Sequence, residues 1–171
     1  MQGRPASHEA VTYFFRYIDL VPGDDPQAAL LEQVDSLPSA LAAVSEQQSL
    51  YRYASGKWSI RQALNHVTDT ERAFAYRALW FSRGFTEPLA SYDQDIAAAA
   101  AEADRIPFAA HVDEFLQVRC ATLALFANMP IKGWTRGGVV SGNYVTVRAL
   151  AFIAAGHAAH HLRIIQEHYL A

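Results

Sequence analysis

The sequence predicts an all-α fold: a four-helix bundle with a short additional N-terminal helix. Three observations predict it. Apolar residues recur every three or four positions over the long segments. Residues that cap helices stand where several of those segments begin. Strand-like alternation has almost no room left to it. Composition agrees, since 31 of the 171 residues are alanine, the strongest helix former. A chain of this length suits one compact domain spanning residues 1–171.

Taken in order, residues 8–20 read as a lead-in helix that ends before Pro22-Gly23. Asp25-Pro26 then has the form of an N-cap followed by proline at the first helical position. The stripe Leu30, Leu31, Val34, Leu37, Leu41 and Val44 follows, with Pro38 inside it. That proline removes one ladder hydrogen bond and predicts a kink or break. Ser59-Ile60-Arg61-Gln62 carries a capping box, because serine can accept from the free amides and glutamine can reach back. Ile60, Leu64, Val67, Phe74, Ala78 and Phe81 form the next stripe, and Gly84 is a helix stop. Residues 85–93 read as a linker, and Ala97–Ala101 are helical by propensity. A further helix runs from Pro107 to Met129 and is closed by Pro130. Four glycines between 133 and 142 predict a loop or a small hairpin. The last helix begins near Asn143 or Thr146 and runs close to the end.

Charge and cysteine content narrow the function. Fourteen basic against seventeen acidic residues give a net charge of −3, which argues against nucleic acid as a partner. The single cysteine excludes an internal disulfide framework and a thiolate zinc finger. The opening MQGRPASHEA lacks the apolar centre of a secretory signal. The charge-free stretches fall short of the roughly 20 residues a membrane helix needs. A soluble cytoplasmic protein without a membrane partner is the expectation. No phosphate-binding glycine loop or nucleophile elbow is present, and GGVVSG puts its glycine one residue out of place.

The histidines carry the chemistry. His157 and His161 are one helical turn apart on the last helix and can converge on one cation. Both follow the apolar seam, and His66 on the second long helix also faces largely inward. Three imidazoles from two helices would leave an open coordination position, the catalytic rather than the structural pattern. Imidazole suits zinc, nickel, cobalt and iron(II) alike. Two alternatives stand beside this reading: each histidine could be a satisfied core residue, and His160 could replace a ligand if the helix were rotated. His8, His111 and His168 read as ordinary.

Residues 53–79, YASGKWSIRQALNHVTDTERAFAYRAL, and 142–170, GNYVTVRALAFIAAGHAAHHLRIIQEHYL, together resemble the DinB/YfiT-like superfamily of metal-dependent enzymes. The resemblance covers nearly the whole chain. It implies that the Trp58-Ser59 lead introduces the first metal histidine, His66, and that His157 and His161 are the helical pair. It implies that His160 is not a direct ligand. It further implies a four-helix bundle with a long crossover, commonly a homodimer. The cofactor would be a divalent ion, zinc or nickel first, with iron or cobalt as alternatives. Relatives include thiol-dependent transferases using bacillithiol or mycothiol, so the expected partner is a small-molecule substrate with a low-molecular-weight thiol as cosubstrate. A related hydrolase and a non-catalytic binding module are the alternatives. No catalytic residue beyond the metal set is assigned.

Other side chains carry weaker expectations. Glu71 falls on or beside a buried stripe and needs a basic partner, for which Arg77, Arg148 and Arg163 are the candidates. Asp69 and Glu71 could otherwise support a metal-bound imidazole. Cys120, in mid-helix, reads as a small buried hydrophobe. Trp58 and Trp134 read as packing residues. Lys132 and Arg136 sit in a glycine-rich turn that could hold an anion, with Arg136 meeting a carboxylate over the metal site.

Overall fold

The computed structural model describes residues 3–170. Its helices are α1 (Thr12–Ile18), α2 (Pro26–Leu41), α3 (Ile60–Ser82), α4 (Gln94–Ala100), α5 (Phe108–Ala127), α6 (Ile131–Trp134) and α7 (Val147–His168). A two-stranded antiparallel hairpin, β1 (Gly137–Val140) and β2 (Asn143–Thr146), leads into α7.

Local chemistry explains most of the boundaries. The Asp25 side chain accepts from the Gln27 amide at 3.0 Å and Pro26 opens α2. Pro38 neither breaks nor ends that helix. It lies in the final turn, three residues before Leu41, and forgoes the one ladder bond to the Val34 carbonyl while the helix runs on. At α3 the capping box is complete. Ser59 Oγ accepts from the Gln62 amide, and Gln62 Oε1 accepts from the Ser59 amide, both at 3.1 Å. Thr146, rather than Asn143, caps α7 by accepting from the Ala149 amide. Asn143 belongs to the hairpin, whose turn residues Ser141 and Gly142 have φ of +47° and +79°. Two successive positive values are what a tight hairpin of the right-handed sheet twist requires. The linker strand at Leu89 docks on this hairpin through two backbone hydrogen bonds of 2.9 Å.

The four long helices form the bundle. α3 packs on α5 and α7, and α2 packs on the same two, so α2 and α3 lie across a diagonal although consecutive in sequence. A buried network joins all four. Arg119 on α5 donates to both carboxylate oxygens of Glu71 on α3, at 2.8 and 2.7 Å. It also donates to Gln33 and to the Leu30 carbonyl on α2, and Gln33 reaches the Ala155 carbonyl on α7. Glu71 therefore has a partner, but one that the sequence reading did not consider: Arg119, 48 positions away.

Apolar burial surrounds this network. One cluster gathers Ile18, Leu30, Phe81, Phe126, Trp134 and Phe152. The other gathers Leu37, Leu64, Phe108, Phe115 and Ile165. The alanines of α7 at 149, 151, 154, 155 and 158 are buried, so their small side chains admit close neighbours. Gly156 is the extreme case. A Cβ there would stand 2.0 Å from the Tyr17 carbonyl oxygen, so only glycine lets α1 settle on α7. Cys120 is exposed, against expectation, because the face of α5 that turns inward carries Phe115, Arg119, Thr122 and Phe126 instead.

Candidate metal centre

α3 and α7 pack side by side, and their contact brings His66 to His157 and His161. One nitrogen from each ring lies within 4.8 Å of the others. The Nε2 atoms of His66 and His157 are 3.3 Å apart. Two nitrogens bound at about 2.0–2.1 Å to a tetrahedral ion would be separated by about 3.3 Å, so this edge matches a shared cation. His66 and His157 are buried and His161 is half-buried.

Burial sets the protonation of all three. It pushes His66 down to about 4, although the Asp95 carboxylate pulls the other way. It pushes His161 down to about 3, with His66 and His160 adding to the effect. His157 is held well below its ordinary value by burial first, and then by His161, His66 and His160. The rings are therefore neutral at pH 7, each with a lone pair free to coordinate. Three neutral, convergent imidazoles fit a divalent transition ion and suit a hard, oxygen-seeking ion poorly.

The surrounding side chains hold the rings in place. Trp58 packs on His66, with ring centroids 4.9 Å apart. Its expected role at a helix junction thus extends to one wall of the site. Tyr17 and Phe74 meet His157 edge-on at 5.3 and 5.8 Å. Thr70 Oγ1 lies 3.4 Å from His66 Nδ1 and 2.9 Å from the Tyr92 hydroxyl. Such a chain orients a coordinating imidazole through its second nitrogen. Thr70 stands one turn after His66, a spacing that sequence could have revealed. Tyr17, Tyr92, Gln94 and Asp95 reach the site through tertiary packing and left no sequence signal.

Two clefts open beside the cluster. One, of about 250 Å³, is bordered by His161, Trp58, Lys57, Gln94, Asp95 and Tyr169. The other, of about 130 Å³, is bordered by His157, Tyr17, Thr70, Phe74, Arg77 and Tyr92. His160 is not part of the cluster and packs its ring against Tyr17. His111 is buried on α5 with Nε2 on the Ala103 carbonyl, and His168 stacks on Tyr53 at the far end of α7. Asp69 pairs with Arg72, and Glu71 is occupied by Arg119, so neither carboxylate supports a histidine. Arg136 donates to the Ser82 carbonyl at the end of α3, and neither it nor Lys132 borders the two clefts.

This geometry meets an independent result. The sequence model of the DinB superfamily matches residues 29–165. The chain belongs to the DinB superfamily. Among solved structures, it is similar to YfiT from Bacillus subtilis, described as a probable metal-dependent hydrolase with an unusual four-helix bundle topology. The TM-score is 0.73 at 17% identity, over 95% of this chain and 89% of that one. At that identity the likeness establishes the fold alone. No curated protein sequence matches the chain.

Proposed function

We propose that this DinB protein is a metal-dependent enzyme that activates a small nucleophile for attack on an electrophilic small molecule. His66, His157 and His161 would hold the cation. The observation that carries the reading is the convergence of three imidazoles, kept neutral by burial, beside two clefts. A bound divalent ion supplies a Lewis acid that favours the ionised form of a thiol or water. The cation we favour is zinc or nickel, and the three nitrogens accept iron(II) and cobalt as well.

The nucleophile we favour is a low-molecular-weight thiol. The larger cleft admits it beside His161, and Lys57 there can meet a negatively charged group on it. The thiol proton passes to Asp95, the sulfur forms a bond to the electrophilic carbon, and the leaving group departs with the bonding pair. A second reading, hydrolysis, draws on the same carboxylate. Asp95 borders the cleft and its charge acts on His66, so it can accept a proton from water equally well. This carboxylate lies on α4, outside the two helices that carry the histidines.

The test incubates metal-loaded protein with a cysteinyl thiol and a small electrophile, with and without His161→Ala. Conjugate formed by the native protein and reduced at least a hundredfold in the variant supports thiol transfer. Hydrolysed electrophile with the same dependence supports the second reading. Equal product from both proteins would reduce the site to a non-catalytic binding module.

A further inference from the structure

Arg77 on α3 is a buried cation that no acid among the described residues matches. It is 8% exposed, yet its hydrogen bonding amounts to one 3.4 Å contact from Nη2 to Ser91 Oγ. Among the described residues no carboxylate lies within ion-pair distance of it. The other deeply buried arginines of this molecule are satisfied. Arg119 holds Glu71, Gln33 and the Leu30 carbonyl. Arg61 holds Ser49, Glu46 and three backbone carbonyls. A guanidinium has five N–H donors and stays charged in proteins, so Arg77 keeps most of its donors in reserve.

Those donors face open space beside the histidine cluster. Arg77 borders the 130 Å³ cleft that His157 also borders, and it borders an adjoining cavity of about 150 Å³ under the hairpin. It follows His66 by eleven residues, which is three turns and therefore the same face of α3. The axial offset is roughly 16 Å, and helical side chains lean toward the N-terminus, which here is toward His66. Tyr13, Phe14, Tyr17, Phe74 and Tyr92 line the stretch between them. No second lysine or arginine borders either space, so the local charge balances a monoanion and leaves a phosphate dianion half-neutralised.

We propose that Arg77 binds the carboxylate of a small substrate whose apolar body lies along this aromatic wall, with its reactive end toward the histidine cluster. The proposal rests on the metal-dependent reading for its purpose, but not for its binding chemistry. The anchor is in place whether or not an ion is bound.

Calorimetric titration and nitrogen NMR of the metal-free protein test it, with acetate, benzoate and 3-phenylpropanoate as probes. Benzamide and inorganic phosphate serve as the neutral and dianionic controls. The expected result is that benzoate or phenylpropanoate binds, that benzamide and phosphate bind at least tenfold more weakly, and that Arg77→Met weakens the acid at least tenfold. The Arg77 Nε–H resonance of the native protein should shift with the acid and not with the amide, which keeps the test intact should Arg77→Met fail to fold. The same affinity in His161→Ala separates this proposal from the metal reading: acid binding without any bound ion sustains Arg77 alone. Failure of all three acids to bind, an unmoved Arg77 resonance, or equal affinity for phosphate would overturn it.

Discussion

At the scale of residues, the behaviour of the site follows from three imidazoles held out of water. Their folded-state pKa values lie below the ordinary 6.5, at about 4 for His66 and about 3 for His161. The unfolded chain therefore binds more protons than the native one as pH falls below 6.5, and stability declines through that window toward pH 4. Each such histidine contributes a slope of up to about 1.4 kcal/mol per pH unit. Glu9 and Asp104 are also lowered, but from 4.5 and 3.8, so their loss comes at more acid pH. Urea unfolding of metal-free protein should show a clear drop between pH 7 and pH 5, and a shallower one in His161→Ala. A native profile flat over that range would mean that the rings are not desolvated. The His157 and His161 pair was legible because its spacing is local on α7, whereas His66, on α3, was joined to it by the resemblance to the DinB/YfiT-like superfamily, since no spacing in the chain tells that α3 and α7 touch. Tyr17, Tyr92 and Asp95 were not, because they arrive from α1, the linker and α4, and no short-range pattern encodes that arrival.

Between helices, the buried Glu71–Arg119 pair is the joint on which the four long elements meet. Glu71 and Arg119 are 2% and 0% exposed, and every neighbour of the guanidinium is part of the fold. Arg119→Met leaves a buried carboxylate without its cation, a change worth about 3–5 kcal/mol against stability. Pairing it with Glu71→Gln should recover a large part of that loss, since the uncompensated charge goes too. Urea midpoints of the two single variants and the double variant measure this. Equal destabilisation in all three would mean that packing, not charge, carries the effect. Sequence placed Glu71 on the buried stripe of α3 and required a partner. It could not choose Arg119, because bundle order, not chain order, decides which helices touch. Capping chemistry was better defined, and Ser59, Asp25 and Thr146 each cap the helix that follows. Pro38 shows the limit of that reasoning: it forgoes the bond to the Val34 carbonyl one turn before it, yet α2 continues past it to Leu41.

For the whole molecule, the all-α bundle was readable from four periodic segments, whereas the diagonal order of its helices came only with the structure. No helix among the described residues is long and apolar enough to cross a membrane. We further propose a homodimer. The buried alanines of α7 cannot supply its face, but the exposed Leu31, Ile96 and Ile131 remain available. Light scattering at tens of micromolar should give twice the mass of the chain, and a monomer mass would refute it. Everything functional returns to the meeting of α3 and α7. The most direct measurement is the metal content of untagged protein grown with ample metal, for the native chain and for His66→Ala, His157→Ala, His161→Ala and His160→Ala. The account predicts one divalent ion per chain in the native protein and in His160→Ala, and at least a tenfold reduction in each of the other three. An ion absent from the native protein, or retained when His66, His157 or His161 is removed, would contradict it.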